Sequence, residues 1–506
     1  TGDAPTGDAP EGWLTGRTIT VMAVAITVGL GAGWFARGGS ASGMDLGDGT
    51  RIAVLPFENM SGDPENEYFS DGLSEQLIDV LARLPGLRVT ARTSSFSFKG
   101  KGATIGDIGR ALGVDVVVEG SVRKDGDRVR ITAQLIEVEN EFHMWTATYD
   151  RDLVDVFAVQ DEIALTISEQ LQLELTAEES AAAVSIAAND LEAWDQYLLG
   201  RYHLARRPGE LAEAVAAFER AVELDPDYPP ALAGLAMAYM VRPFYVPEPD
   251  MGDLQRARSY SLRAQALDPR LGQPNGVLGY SSLMLLDWTP VGPALKRGLE
   301  LSPDDADLRH WYADYLSIFG RFDEALEQTR LAVQLDPLSP MRSWKHIEKL
   351  AFAGRIDEGR AEMAKARSAF PGYRSQVIQG VALAMLGETK DVIEIVLWRL
   401  DQDGVAISDA LRDGLLGIAD GEPLGPSLVD EMRGNRTLIQ HVVMVNPGAS
   451  DALKPLVLDL LSAEVVEVHP ASFFIGHIIR NGPFAHDPEV LALLREMGVP
   501  TFWADG

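Results

Sequence analysis

Three groups of side chains in this 506-residue chain have a type or spacing that could do chemistry. The eight histidines, at 143, 203, 310, 346, 441, 469, 477 and 486, contain no HExxH and no pair at metal-ligand spacing. Asp63, Glu65, Glu67 and Asp71 crowd a Gly-Asp-Pro turn and offer the hard oxygen ligands that calcium or magnesium takes. EF-hand spacing is absent, however, and a solvated loop with carboxylates at a helix N-terminus accounts for the same residues. The segment TSSFSFKGKG, residues 93–102, brings hydroxyls, Lys99, Lys101 and glycines that could cradle an anion. It lacks the GxxxxGK[ST] pattern of a P-loop and reads as a connecting loop whose Phe96 and Phe98 pack onto a sheet. There is no GxSxG elbow, and no carboxylate pair stands out as a glycosidase acid and base. With no cysteine, thiolate nucleophiles and thiolate metal sites are excluded. No catalytic, cofactor-binding or metal-binding residue is assigned, and the chain reads as a binder rather than an enzyme.

Composition agrees with a folded binder. The chain is 46% hydrophobic and 24% charged, ordinary for two or three globular units. Its 75 acidic against 44 basic residues give a net charge of −31. Binding nucleic acid needs clustered Lys and Arg to displace counterions, so the charge balance argues against nucleic acid as a partner for this chain.

The elements that position any binding surface show first in the prolines. Pro269, Pro303, Pro337 and Pro371 are each 34 residues apart. Ahead of Pro337 the chain reads WYADYLSIFGRFDEALEQTRLAVQLDP, with Ala313 and Ala325 small where two helices cross and Gly320 in the turn. Ala214, Phe218 and Ala221 repeat the frame ahead of Pro226. The 43-residue step from Pro226 to Pro269 is one period plus an insertion within VRPFYVPEPDMGD. Period and pattern resemble the tetratricopeptide repeat, an all-α superhelix of helical pairs, over about 190–400. Residues 401–506 read as degenerate pairs and a cap, closing with a helix from His486. Such a superhelix binds protein or peptide partners on its concave face. In this frame Asp307, His310, Asp314 and Ser317 of one module, and Trp344, Glu348 and Phe352 of the next, face inward. The acidic balance favours basic peptides.

Near the start, residues 1–17 read as a linker that includes TGDAP twice. Residues 18–36, TITVMAVAITVGLGAGWFA, carry no charge and are long enough for one membrane-spanning helix. A secretory signal has a shorter apolar stretch behind a basic start. Ala25, Gly29 and Gly33 fall four apart, a small-xxx-small face on which two such helices could dimerise. Residues 37–50 are a second linker. Arg17 and Arg37 balance, so charge does not orient the span.

Between span and repeats, residues 51–175 alternate strand and helix patterns in the order β-α-β-α-β-β-β-α, with Asp125 and Gly126 at a hairpin turn. The motifs IAVLPFENMSGDPENEYFSDGLSEQLIDVLARL, ARTSSFSFKG, IGRALGVDVVVEGSVRKDGDRVRITAQLIE and YDRDLVDVFAVQDEIA occur here in that order. The stretch resembles the TolB amino-terminal-like domain of bacterial signalling proteins. The resemblance implies a protein anchored in the inner membrane by a single pass, with the residues after about 37 in the periplasm. It also implies an output domain upstream, such as an adenylate cyclase or a CadC-like winged helix. The alternative is a stand-alone periplasmic scaffold for envelope assembly.

Overall fold

The computed structural model describes residues 49–419 apart from 183–186, 246–249, 251, 375–378 and 403, together with 427–428, 431 and 487–496. The expected membrane span, with Ala25, Gly29 and Gly33, and most of 420–506 lie outside the described residues. Among the described residues no helix is long and apolar enough to cross a membrane.

The first part is a mixed sheet. β1 (Thr50–Val54) lies between β3 (Leu87–Val89) and β4 (Val116–Asp125), parallel to both. β4, β5 (Arg128–Glu137) and β6 (Phe142–Asp152) then run antiparallel, and the short β2 (Glu58–Asn59) pairs with the far end of β4. The sheet order is β3-β1-β4-β5-β6. Runs such as VVV in β4 are buried on both faces, whereas β5 alternates exposed and buried residues. Asp125 pairs with Arg128 across the predicted hairpin, and Gly126 takes φ +58°.

Helices α1 (Glu67–Leu81) and α4 (Val156–Gln170) cover one face of the sheet, and α3 (Ile105–Leu112) covers part of the other. Both ends of α3 are capped. The Thr104 hydroxyl accepts from the Asp107 N–H, and Gly113 closes the helix in the left-handed region. Ser70 lies inside α1, which begins at Glu67, and is buried. One expectation changes. The segment read as a loop after β3 contains a short helix, α2 (Arg92–Phe96). Phe96 and Phe98 do pack onto the core, on different sides of the sheet.

After a short α5 (Ala177–Ala182) come the helical pairs. These are α6 (Leu191–Ala205) with α7 (Leu211–Leu224), α8 (Pro229–Val241) with α9 (Gly252–Leu267), and α10 (Gly272–Met284) with α11 (Trp288–Leu301). Next are α12 (Ala306–Ile318) with α13 (Phe322–Leu335), and α14 (Pro340–Phe352) with α15 (Ile356–Ala369). The last described pair is α16 (Val381–Leu386) with α17 (Thr389–Gln402), followed by α18 (Asp409–Ala419) and a separate helix Pro488–Glu496. The inserted residues fall between α8 and α9, as the proline step requires. Gly320 and Gly354, one period apart, turn α12 into α13 and α14 into α15 with φ of +71° and +72°. Ala313 and Ala325 are fully buried at their crossing.

Candidate functional site

The inner helices α10, α12 and α14 start 34 residues apart, so Tyr280, Asp314 and Glu348 occupy equivalent positions on successive turns of the superhelix. The Tyr280 hydroxyl donates to Asp314 Oδ2 at 3.2 Å. Lys349 Nζ donates to Asp314 Oδ1 at 2.6 Å and also binds Glu348. Lys345 Nζ lies 3.5 Å from Asp314 Oδ1 and 3.2 Å from Glu348 Oε2. These two carboxylates and two ammonium groups are all buried, and their charges cancel. Burial alone would raise the Asp314 carboxyl, but Lys345 and Lys349 override it and hold the group well below the usual carboxylate range. Burial would likewise lower Lys349, and Asp314 and Glu348 reverse that.

His310 joins this network to the next. Arg342 can only donate, and its guanidinium lies 3.0 Å from His310 Nδ1, which assigns that nitrogen as the acceptor. The ring proton then sits on Nε2, which is 3.2 Å from Asp314 Oδ2 but poorly aligned for a hydrogen bond. A neutral ring agrees with burial, which pushes the His310 pKa down. Arg342 also pairs with Asp307 and approaches Asp336, its Nε lying 3.7 Å from the Asp336 carboxylate.

The structure therefore brings Asp307, His310, Asp314 and Glu348 together. The other predicted inner-face residues have separate roles. The Ser317 hydroxyl donates to the Ala313 carbonyl at 2.7 Å, Trp344 is in the main core, and Phe352 lies under the Lys349 ammonium. Of the seven, only Asp307 is partly exposed; the rest are buried between helices rather than spread along an open groove. A partner reaches them only if the packing of α12 against α14 opens. The sequence frame missed Arg342, Lys345 and Lys349, which point sideways along the stack instead of inward. The signal that could have found the network is the 34-residue spacing of Tyr280, Asp314 and Glu348.

The second feature is a polar seam between the sheet domain and the repeats. At one end α1 lies against α6, close enough that a Cβ on Gly72 would stand 2.8 Å from the Leu198 side chain. The Trp194 ring meets Phe69 and Phe157 edge-on at 5.4 and 5.2 Å, and its Nε1 donates to Gln76 at 3.2 Å. Carboxylates at every fourth residue of α1, Glu67, Asp71, Glu75 and Asp79, form one stripe. Lys99 pairs with the first two. Arg92 and Arg201 both bind Glu75, and Arg201 also binds Asp79. Burial would raise Glu75, but the two guanidinium groups bring it below its ordinary value. The Tyr68 hydroxyl donates to Asp195 at 2.7 Å; burial and that carboxylate push the phenol up.

At the other end the sheet domain meets the turns between repeats. Arg88 pairs with Asp304. The Ala91 N–H donates to the Leu335 carbonyl at 2.8 Å. The Ser94 N–H and hydroxyl both donate to Asp336 Oδ1, at 3.1 and 2.7 Å, and the same hydroxyl accepts from the Leu338 N–H at 2.8 Å. Leu338, like Phe98, then packs against the sheet-domain cluster that contains Ile108 and Leu112.

The seam accounts for both candidate clusters of the sheet domain. Glu67 and Asp71 share Lys99, and Asp63 accepts from the Glu65 N–H as a turn cap. Among the described residues no group of three or more His, Asp or Glu is arranged to hold a metal ion. In the hydroxyl-rich segment, Ser94 and Lys99 are already engaged within the protein.

Residues 48–166 match the family described as HilA/YgeH-like transcriptional regulator, second domain, and residues 196–228 match the tetratricopeptide repeat. The protein named "Putative adenylate cyclase 3" from Rhizobium meliloti (strain 1021) is 39% identical over 241 residues, 47% of this chain and 40% of that protein. Transcriptional regulator HilA of Salmonella typhimurium is 24% identical over 150 residues, 29% of this chain and 27% of that protein. The chain thus spans less than half the length of either relative. A thermophilic TPR protein from Thermus thermophilus is similar over 36% of this chain and 92% of its own, at 23% identity and a TM-score of 0.31. The chain combines a small mixed-sheet domain, similar to the second domain of HilA/YgeH-like regulators, with tetratricopeptide repeats.

Proposed function

We propose that this chain is the sensing and partner-binding part of a membrane-anchored bacterial signalling protein. The repeats take a protein or peptide partner, and the sheet domain carries that event toward the membrane. In this reading residues 18–36 span the inner membrane, later residues lie in the periplasm, and an output domain such as an adenylate cyclase precedes Thr1. The observation that carries it is the seam. Asp336 touches Ser94 of the sheet domain and Arg342 of an inner helix, so a rearrangement among the inner helices meets the sheet domain one contact away. The similarity to a protein named for adenylate cyclase supports a signalling role.

Two measurements test it. A phosphatase reporter fused after Gly506 should be active only in the periplasm; activity of a cytoplasm-only reporter at the same position overturns the topology. Peptide arrays probed with the full chain should retain extended basic peptides, with binding that weakens as salt rises. Retention of acidic peptides, or no salt dependence, rejects the electrostatic part.

A further inference from the structure

Beyond that reading, we infer that β6 is a homodimer interface, pairing antiparallel with β6 of a second copy about a twofold axis through Thr148. Among the described residues β6 has β5 on one side only and forms an edge of the sheet. An open edge presents a row of backbone donors and acceptors. Which residues present them follows from the ladder. The Leu153 N–H donates to the Asp127 carbonyl at 2.7 Å, continuing the β5 register, so odd-numbered residues from Trp145 to Arg151 bond inward to β5. The N–H and C=O groups of Thr146, Thr148 and Asp150 therefore face outward.

Self-complementarity selects the occupant and the register. Phe142 and Val154 are the most exposed large apolar side chains among the described residues, at 63% and 62%. They lie six residues to either side of Thr148. A twofold axis at Thr148 brings each Phe142 to the end of the strand where the second copy's Val154 lies. The same axis sets Trp145 opposite the second copy's Arg151, a cation–π pairing, and Thr146 opposite its Asp150, a hydroxyl facing a carboxylate. Each contact occurs twice, as an isologous interface requires.

Other registers fare worse. An axis through Ala147 also makes a ladder, with Thr146 opposite the second copy's Thr148, but it sets each exposed Phe142 against the second copy's Asp152 instead of its Val154. An axis through Asp150 places two carboxylates directly opposite, which is repulsive. The bulge in β6 falls between Trp145 and His143 and leaves the pairing segment 145–151 regular. One contact must yield, because the Arg151 guanidinium now lies 3.2 Å from the Asp150 carbonyl.

The absence of cysteine makes the test direct. Thr148→Cys in the full chain, in detergent micelles, places one thiol on the axis. Hydrogen-bonded antiparallel pairs bring Cα atoms to about 5.5 Å, within disulfide range. Mild oxidation should convert most of the chain to a species of twice the mass on a non-reducing gel. Thr132→Cys, directly across from Thr148 on β5 and one strand further from the axis, should stay monomeric. Adding Val154→Asp to the Thr148→Cys chain should slow cross-linking about tenfold as the apolar ends part. The proposal is overturned if Thr148→Cys does not cross-link, if both single-cysteine chains cross-link equally, or if Val154→Asp leaves the rate unchanged. Reading out the cross-link keeps the test independent of any association between membrane helices.

Discussion

Ser94 and Asp336 are 242 residues apart in sequence, yet the Asp336 carboxylate accepts both the N–H and the hydroxyl of Ser94 in a buried contact. Replacing Asp336 with Ala strands those donors and takes a nearby countercharge from buried Arg342, a loss of about 2–4 kcal/mol. Asp336→Asn keeps an acceptor for Ser94 and should lose less. Urea unfolding would measure both, and hydrogen exchange should show the amides of Ala91 and Ser94 opening faster in the Ala variant.

Glu75 lies between two guanidinium groups and is almost fully buried, so Glu75→Ala leaves Arg92 and Arg201 facing each other and costs about 3–5 kcal/mol. The pH dependence has a definite sign. Because the folded pKa of Glu75 is depressed, its contribution is complete above the ordinary glutamate value of about 4.3 and is lost as pH falls below it. The stability gap between the parent and Glu75→Gln should therefore narrow as pH is lowered from 7 toward 3. The gap is the right quantity, since burial raises Asp71 and Asp304, which act with the opposite sign in the parent and variant alike.

The inner network should behave as a unit. Asp314→Asn leaves Lys345 and Lys349 buried beside Glu348 alone, and Lys349→Met leaves two carboxylates sharing Lys345. A double-mutant cycle on Asp314 and Lys349 should give a coupling of about 1–3 kcal/mol. Additive single effects would show that Lys345 and Glu348 carry the network without them.

At Gly72 the constraint is steric. A Val there must push Leu198 and separate α1 from α6, at a cost of about 1–3 kcal/mol, measurable as a fall in thermal midpoint.

Legibility in the sequence followed the range of the interactions. The Asp125–Gly126 turn located the β4–β5 hairpin, and the 34-residue step located the helical pairs, because each signal is local or periodic. Ser94 gave no such sign. In TSSFSFKG it is one hydroxyl among several, and only the tertiary fold brings it to a turn after the fourth described helical pair. The inner-face residues were half legible. The repeat frame placed His310, Asp314 and Glu348 on one side of their helices, but whether that side is open depends on Arg342, Lys345 and Lys349 crossing between helices, which periodicity does not report.

The distance between Ser94 and Asp336 also sets a timetable. At roughly 5–20 residues per second of synthesis, Ser94 leaves the ribosome roughly 10–50 s before its acceptor exists. During that interval the sheet domain carries Arg88, Ala91 and Ser94 without their repeat partners. Its nascent form is therefore the stage at which a chaperone, or a premature encounter with another chain, has access to a surface that the finished protein keeps covered.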